Sequence, residues 1–385
     1  MNRGKPRLGF ISVHRAPYRD PVLNLIHSRA NIDLEAIILF REDVGHPYWQ
    51  LDAPTYPHIF FESKNRIVRK AHSRADVVRL LSERKYDVVA IPGYYHPTCV
   101  FALFYCISTK TPVIWLSDAC LFKPRKLYIE VIKWPFMKAL VNLMGAAWVP
   151  GMAGREFLAS YGAKQDKVFE GLYTLDTAAI LESLEESRTI RNCTRNSLSL
   201  ENDQIALLMV ANMIPKRGLG ILLEALQELL EHREDLKLVL IGEGPEKHNI
   251  EVMMRDRPEL RKHTCLLGSV PFEDLTGYYL SADAYVHSSV NEEYSVSVAH
   301  AAICGLPIIA TDRVGAAYDY VIEGVTGALA KAGDSISLAD AIERVISDRD
   351  NAVIMGMRAE QRAKRFSVEW AANQLENAAM VSVYD

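Results

Sequence analysis

Short apolar runs alternate along this chain with segments whose apolar residues recur at helical spacing. "RLGFISV" (7–13) reads as a buried strand, "PVLNLIHSR" (21–29) as a helix and "IDLEAIILF" (32–40) as a strand. "DVVRLLSERK" (76–85) is helical, and "YDVVAIPG" (86–93) and "TPVIWLSD" (111–118) are strand-like. The pattern pauses over the polar stretch 181–204 and then resumes. "IALLMVAN" (205–212), "LKLVLIGEG" (236–244), "KHTCLLGSV" (262–270), "AYVHSSV" (284–290) and "PIIATD" (307–312) are strands separated by helical patterns such as "GILLEALQELLEHR" (220–233). Strands that are apolar on both faces and alternate with helices predict parallel sheets covered on each side. The expected class is α/β, with two doubly wound, Rossmann-like domains. Residues 1–180 form the first and 181–363 the second, joined near 177–200. The tail 364–385 is a helix returning to the first domain. Ligands of such sheets sit beyond the carboxyl ends of the strands, and two such domains would face a cleft.

Composition narrows the classes. A length of 385 residues fits two or three domains. A net charge of −4 argues against a nucleic-acid partner. The charge is uneven: residues 1–176 carry 24 Lys and Arg against 16 Asp and Glu, the remainder 20 against 32. The halves are therefore expected to meet different partners. Six cysteines without a C-x-x-C pair suggest free thiols in a reducing compartment, hence a cytoplasmic protein. The amino terminus lacks the apolar core of a signal peptide. The apolar run 88–107 is broken by Pro92, Gly93, His96 and Pro97, so it reads as strand, turn and helix rather than a membrane span.

Three segments carry candidate chemistry. In "ANMIPKRG" (211–218) a strand end is followed by Lys216, Arg217 and a turn-permitting Gly218, then a helix. Basic side chains beside a helix start can hold a phosphate, although a solvated loop has the same look. "IGEGPE" (241–246) is a glycine-bounded turn, either a ligand loop or a plain connection; no G-x-G-x-x-G follows any strand, which argues against a dinucleotide site. In "HSSVNEEYSVSVAHAAICGLP" (287–307) a helix is expected from about Ser295 to Gly305, with Glu292 and Glu293 just ahead and His300 inside. A glutamate there could be a helix cap, and a lone helical histidine is more often structural than a ligand contact.

In order, "ANMIPKRG", "IGEGP", "LGSVP", "SSVNEEYS…AHAAICGLPIIATD" and "GVTGALAKAGD" resemble the retaining glycosyltransferases of family 4, which have the GT-B fold. The resemblance is strong over about 205–370 and weak before. It implies transfer of a sugar from a nucleotide-diphosphate sugar to an acceptor hydroxyl, in glycan, exopolysaccharide or glycolipid assembly. It implies no cofactor and no metal. Carried over by position, Asn212 and Arg217 would meet the donor diphosphate, with Lys216 supplying the charge that Asn212 lacks. Gly244 lies in the glycine turn, and Gly268 and Val270 would lie by the base. Glu292 would contact the transferred sugar, the backbone at Glu293, Tyr294, Ser295 and Val296 would face the phosphates, and His300, where the family has a second glutamate, would meet the ribose. Glu292, Arg217 and Asp118 are the candidate catalytic residues.

The amino half is the expected acceptor side. "APYRD" (16–20) offers Pro17 for a first helical turn, Tyr18 and an Arg19 that could face the cleft. Asp118 ends a strand as an acceptor contact or as a cap, and Tyr95 and His96 could stack on an acceptor ring or simply pack. The acceptor could be a sugar, a lipid-linked molecule or a small molecule. Basic stretches at 64–85 and 122–148, the latter mixed with Trp, Tyr and Phe, make an anionic membrane surface a candidate partner and peripheral attachment at the inner face a candidate location. Two alternatives stay open: a non-catalytic partner of the same fold, and a nucleotide-sugar epimerase.

Overall fold

The computed structural model describes residues 5–40, 51–61, 74–122, 127–182 and 187–384. The chain divides into two compact units, Met1–Leu175 with Val368–Asp385, and Asp176–Ser367.

The first unit is a seven-stranded parallel sheet of β1 (Arg7–Ser12), β2 (Asp33–Ile38), β3 (His58–Phe60), β4 (Val88–Pro92), β5 (Val113–Leu116), β6 (Ala146–Val149) and β7 (Val168–Glu170). Their order in the sheet is β3-β2-β1-β4-β5-β6-β7. Helices Asp20–Arg29 and Val368–Tyr384 cover one face with Val22, Ile26, Ala372 and Leu375; Arg74–Arg84 and Pro97–Thr109 cover the other with Val77, Leu81, Cys99 and Ala102. The second unit is a six-stranded parallel sheet of β8 (Ile205–Val210), β9 (Leu236–Ile241), β10 (Thr264–Leu267), β11 (Ala284–His287), β12 (Ile308–Thr311) and β13 (Gly327–Ala330), in the order β10-β9-β8-β11-β12-β13. Its central strands are buried almost throughout, and Leu222, Leu226 and Ile342 pack on them from helices Leu219–Leu230 and Ser335–Ile346. Each fully buried leucine contributes about 1.5–3 kcal/mol, so apolar runs this short suffice to fix strands.

Four strands go unannounced in the apolar pattern: β3, β6, β7 and β13, each of three or four residues. The polar stretch 181–204 is not a linker. Ser187–Ser197 is a helix, and its side chains close the end of another. Arg191 donates to the Leu280 and Ala282 carbonyls at 2.7 Å each and Arg195 to that of Ser281 at 3.0 Å, while both pair with Asp283. The units divide at Leu175/Asp176, not 180/181, because helix Thr177–Glu182 packs on helix Val296–Ile303 of the second unit. At the other joint Phe366 stays with that unit, its ring 5.1 Å from Tyr320.

Candidate functional site

In both sheets the first strand is flanked by strands wound in opposite directions, which opens a crevice at its carboxyl end. In the second unit this switch point lies between β8 and β11. Beyond β8, Pro215–Arg217 forms one tight helical turn ended by Gly218 at φ 64°. A Cβ at Gly218 would stand 2.3 Å from the Ser288 carbonyl oxygen, so both the left-handed backbone and the close approach require glycine. The turn docks on the segment after β11: Ser288 Oγ donates to the Arg217 carbonyl at 3.0 Å, and the Val290 amide to that of Lys216 at 2.9 Å.

That docking brings the two basic side chains to the two glutamates. Arg217 Nη1 lies against Glu292 Oε2, and Lys216 Nζ is 3.2 Å from Glu293 Oε2. The basic side chains read as phosphate contacts are thus internally neutralised. Glu292 is 6% exposed. Its backbone is held from the β12 side, its amide donating to Arg313 O at 2.9 Å and its carbonyl accepting from Gly315 N at 3.0 Å. Ser289 Oγ donates to Oε2 at 2.8 Å, and His287 Nε2 bonds the same oxygen. Among the described residues nothing bonds Oε1, so one carboxylate oxygen is pinned and the other is presented. Burial pushes the Glu292 carboxyl up, but His287, Arg217 and Ser289 outweigh it and hold it below its ordinary value.

His287 and Ser289 were not among the candidates read from the sequence. Behind His287, Nδ1 is 3.0 Å from the Tyr285 hydroxyl, which is 2.7 Å from Ser297 Oγ. Tyr285, His287 and Ser289 stand at i, i+2 and i+4, hence on one side of β11 and its extension. Polar residues at period two in a strand this buried were the available signal.

The helix is Val296–Ile303, with Ser295 as its N-cap and the left-handed Gly305 just past its end. Neither glutamate caps it. The Ser295 and Val296 amides enter no backbone bond among the described residues, as befits a first turn, and stay open to an acceptor. Tyr294 is buried. The other donor-side candidates also lie at strand ends: Asn212, exposed, after β8; Gly244, at φ 154° with room for no Cβ against Met213 O, after β9; and Gly268 and Val270 after β10. His300 is 2% exposed, stacked on Tyr279 at 4.3 Å, with Nε2 3.1 Å from Thr276 Oγ1. Burial drives its pKa down to about 3, so the ring is neutral, and Nδ1 is its only nitrogen without a partner among the described residues.

In the first unit a cavity of about 210 Å3 lies at the switch point between β1 and β4, and Tyr18, Arg19, Tyr95, His96 and Asp118 line it, five of the six acceptor-side candidates. Pro17 does not; the helix after β1 starts at Asp20 and has Pro21, not Pro17, in its first turn. Among the described residues Asp118 caps no helix; it accepts from the Tyr173 hydroxyl at 3.2 Å, and Tyr173 meets Tyr18 edge-on at 4.9 Å. Tyr95 does not pack away, being 78% exposed and stacked on Tyr94. His96 caps helix Pro97–Thr109, its Nδ1 accepting from the Thr98 amide at 3.2 Å. Tyr94 lines it too, and Tyr173 and Trp115 join this wall unforeseen.

Among the described residues no cluster of three or more His, Cys, Asp or Glu could hold a metal ion, and no helix is long and apolar enough to cross a membrane. Of the two basic stretches, residues 62–73 and 123–126 lie outside the described part.

Comparison with known proteins agrees with this geometry. Residues 191–362 match the family described as Glycosyl transferases group 1. A D-inositol 3-phosphate glycosyltransferase of Corynebacterium urealyticum is 32% identical over 165 residues, 41% of this chain and 39% of that protein. The chain thus spans about two fifths of that relative's length. The crystal structure of Anabaena HepE with UDP superposes with a TM-score of 0.73 at 19% identity, covering 96% of this chain and 98% of the other; the same protein with UDP-glucose gives 0.70 at 19% identity over the same shares. The fold is GT-B.

Proposed function

We propose that the protein, whose residues 191–362 match the glycosyl transferases group 1 family, is a retaining, metal-independent glycosyltransferase. It moves a sugar from a nucleotide-diphosphate sugar to an acceptor hydroxyl in glycan or glycolipid assembly. The observation that carries this reading is the meeting of Arg217 with Glu292 at the switch point of the second unit, beside the open amides of Ser295 and Val296. The donor's phosphates take Arg217 and Lys216 away from the two carboxylates and accept from the helix start. Cations and amides aimed at the departing diphosphate do the work a metal ion does elsewhere. Release of Arg217 leaves Glu292 anchored by His287 and Ser289, with Oε1 toward the transferred sugar. His300 reaches the ribose through Nδ1. The aromatic cavity of the first unit, with Asp118 as acceptor of a hydroxyl, takes the acceptor.

HepE, the structural neighbour, is described with UDP and UDP-glucose, and the Corynebacterium relative is named for an inositol phosphate acceptor. Both kinds of ligand suit the two sites. The chain works in the cytoplasm, at an anionic membrane surface. Support comes from helix Leu127–Leu143, where Tyr128, Val131, Trp134 and Phe136 are exposed and Lys138 lies 4.6 Å above the Trp134 ring. Salt-sensitive flotation with anionic vesicles, and none with neutral ones, is the outcome expected.

A panel of nucleotide sugars in a thermal-shift assay, followed by product analysis with and without acceptors, tests the function. Stabilisation by at least one nucleotide sugar and acceptor-dependent product are expected. No binding at millimolar donor would make the chain a non-catalytic relative, and product without any acceptor would make it an epimerase.

A further inference from the structure

Arg19 is 8% exposed, at the wall of the first unit's cavity. Its Nη1 donates to Ser12 Oγ at 3.0 Å, and the guanidinium carbon lies 5.6 Å from the Tyr18 ring centre. Its Nε has no partner among the described residues. Among the described residues no carboxylate comes within ion-pair distance of it. The neighbouring Asp20 is already taken, accepting from Arg15 Nε at 2.8 Å and from the Tyr56 hydroxyl at 2.7 Å. Asp118, on the same cavity, accepts from Tyr173.

A buried cation without an opposite charge is costly, typically several kcal/mol, unless something supplies that charge. The fold nonetheless holds Arg19 here by backbone turns: its amide and that of Asp20 both donate to Ala16 O, at 3.0 and 3.1 Å. The rest of the wall suits a sugar ring. Tyr94 and Trp115 are apolar faces 5.7 Å apart, and Asp118 can accept a hydroxyl proton.

We propose that the acceptor bound in this cavity carries an oxyanion, a phosphate or a carboxylate, which Arg19 holds while the sugar ring lies on the aromatic wall. Guanidinium matches the planar spacing of two such oxygens, so the contact selects for the anionic sugar over its neutral counterpart. Asp118, lining the same cavity, can accept from a hydroxyl of the ring. The inference rests on the first unit being the acceptor unit, and it adds the charge of the acceptor to that reading.

The test is calorimetry on the full chain saturated with UDP, titrated with a neutral hexose, its 6-phosphate and the matching hexuronate. The phosphate and uronate arms separate the two sources of the oxyanion. At least one anionic sugar should bind tenfold or more tighter than the neutral hexose, with the preference abolished in Arg19→Met and kept in Arg217→Ala. Retained stabilisation of Arg19→Met by UDP shows that this variant folds. Equal binding of neutral and anionic sugars would overturn the charge assignment and leave the acceptor reading intact. Preference surviving in Arg19→Met, or lost in Arg217→Ala, would place the anion elsewhere and overturn it too. Binding of none of the three would overturn it together with the acceptor reading, while UDP binding still reports on the donor unit alone.

Discussion

His287 Nε2 bonds Glu292 Oε2, five residues on, and both groups are nearly inaccessible to solvent. The Glu292 carboxyl is held ionised, so it accepts from Nε2–H. On the far side of the ring, Nδ1 lies 3.0 Å from the Tyr285 hydroxyl, which donates to Ser297 Oγ at 2.7 Å. These side chains link the first turn of helix Val296–Ile303 to the carboxylate.

His287 is therefore a positioning residue for Glu292. A hydrogen bond to a buried charge is worth about 1.5–3 kcal/mol. His287→Leu should lower kcat by roughly ten- to a hundredfold and leave donor KM within about threefold, since Arg217 and the helix start are intact. It should also move the acid limb of the pH–rate profile upward, because Glu292 loses a partner that favours its ionised form. A packing role alone would change stability and leave that limb in place.

The Arg217–Glu292 and Lys216–Glu293 pairs differ in depth, and their substitution should differ accordingly. Arg217→Ala removes charge from the departing diphosphate and should cost at least tenfold in kcat/KM, toward the roughly 10²–10³ typical of such contacts. Lys216 and Glu293 are partly exposed, so their pair contributes about 0–1 kcal/mol. Glu293→Gln should release Lys216 and tighten UDP binding by up to about fivefold, an effect that fades in high salt. Calorimetry with UDP at two ionic strengths measures both, and unchanged affinity in Lys216→Ala would remove Lys216 from the donor contacts.

Gly218 joins the basic turn to β11, and its substitution should act on the site through geometry. Alanine there must adopt φ 64° and meet the Ser288 carbonyl at 2.3 Å. The left-handed backbone alone costs about 1–2 kcal/mol. Gly218→Ala should lower the melting temperature and raise donor KM as Arg217 is displaced. Gly333→Ala, at φ 83° with open space around its Cβ, is the control: it carries the backbone cost without the clash. Equal effects from the two would show that the Ser288 contact does not matter.

These residues also show what the sequence could and could not convey. Strands such as Ile205–Val210 and Leu236–Ile241 announced themselves because every position but Lys237 is apolar and the sheet buries both faces. Ala146–Val149 and Gly327–Ala330 did not, because a run of only four residues becomes a strand only when neighbours supply the ladder. Helix Ser187–Ser197 stayed hidden because it is held by arginines on carbonyls rather than by an apolar stripe. Arg217 and Glu292 were legible as ordered motifs. That Arg217 would lie on Glu292 was not, since charge counting cannot tell a free cation from a paired one. The first unit's cavity was half legible: Tyr18, Arg19 and Asp118 lie at strand ends, whereas Tyr173 arrives from 55 residues beyond Asp118.

His300 gives the last test, and its sign is fixed by burial. In the fold its pKa is about 3, against an ordinary 6.5, because nothing compensates the lost hydration of a charged ring. Between those values the unfolded chain binds a proton that the folded chain does not. Stability is then full above pH 6.5 and falls as the pH drops through that window, by up to about 1.4 kcal/mol per pH unit. Phenylalanine keeps the stacking on Tyr279 and cannot be protonated. His300→Phe should therefore flatten the decline of the urea midpoint between pH 6.5 and pH 4.5 relative to wild type, and the two should differ least at pH 7.5. A parallel decline in both proteins would mean that the imidazole is hydrated or charged in the fold. The same variant removes Nδ1, so weaker UDP binding at pH 7.5, where the two are closest in stability, would mark loss of the ribose contact rather than loss of the fold.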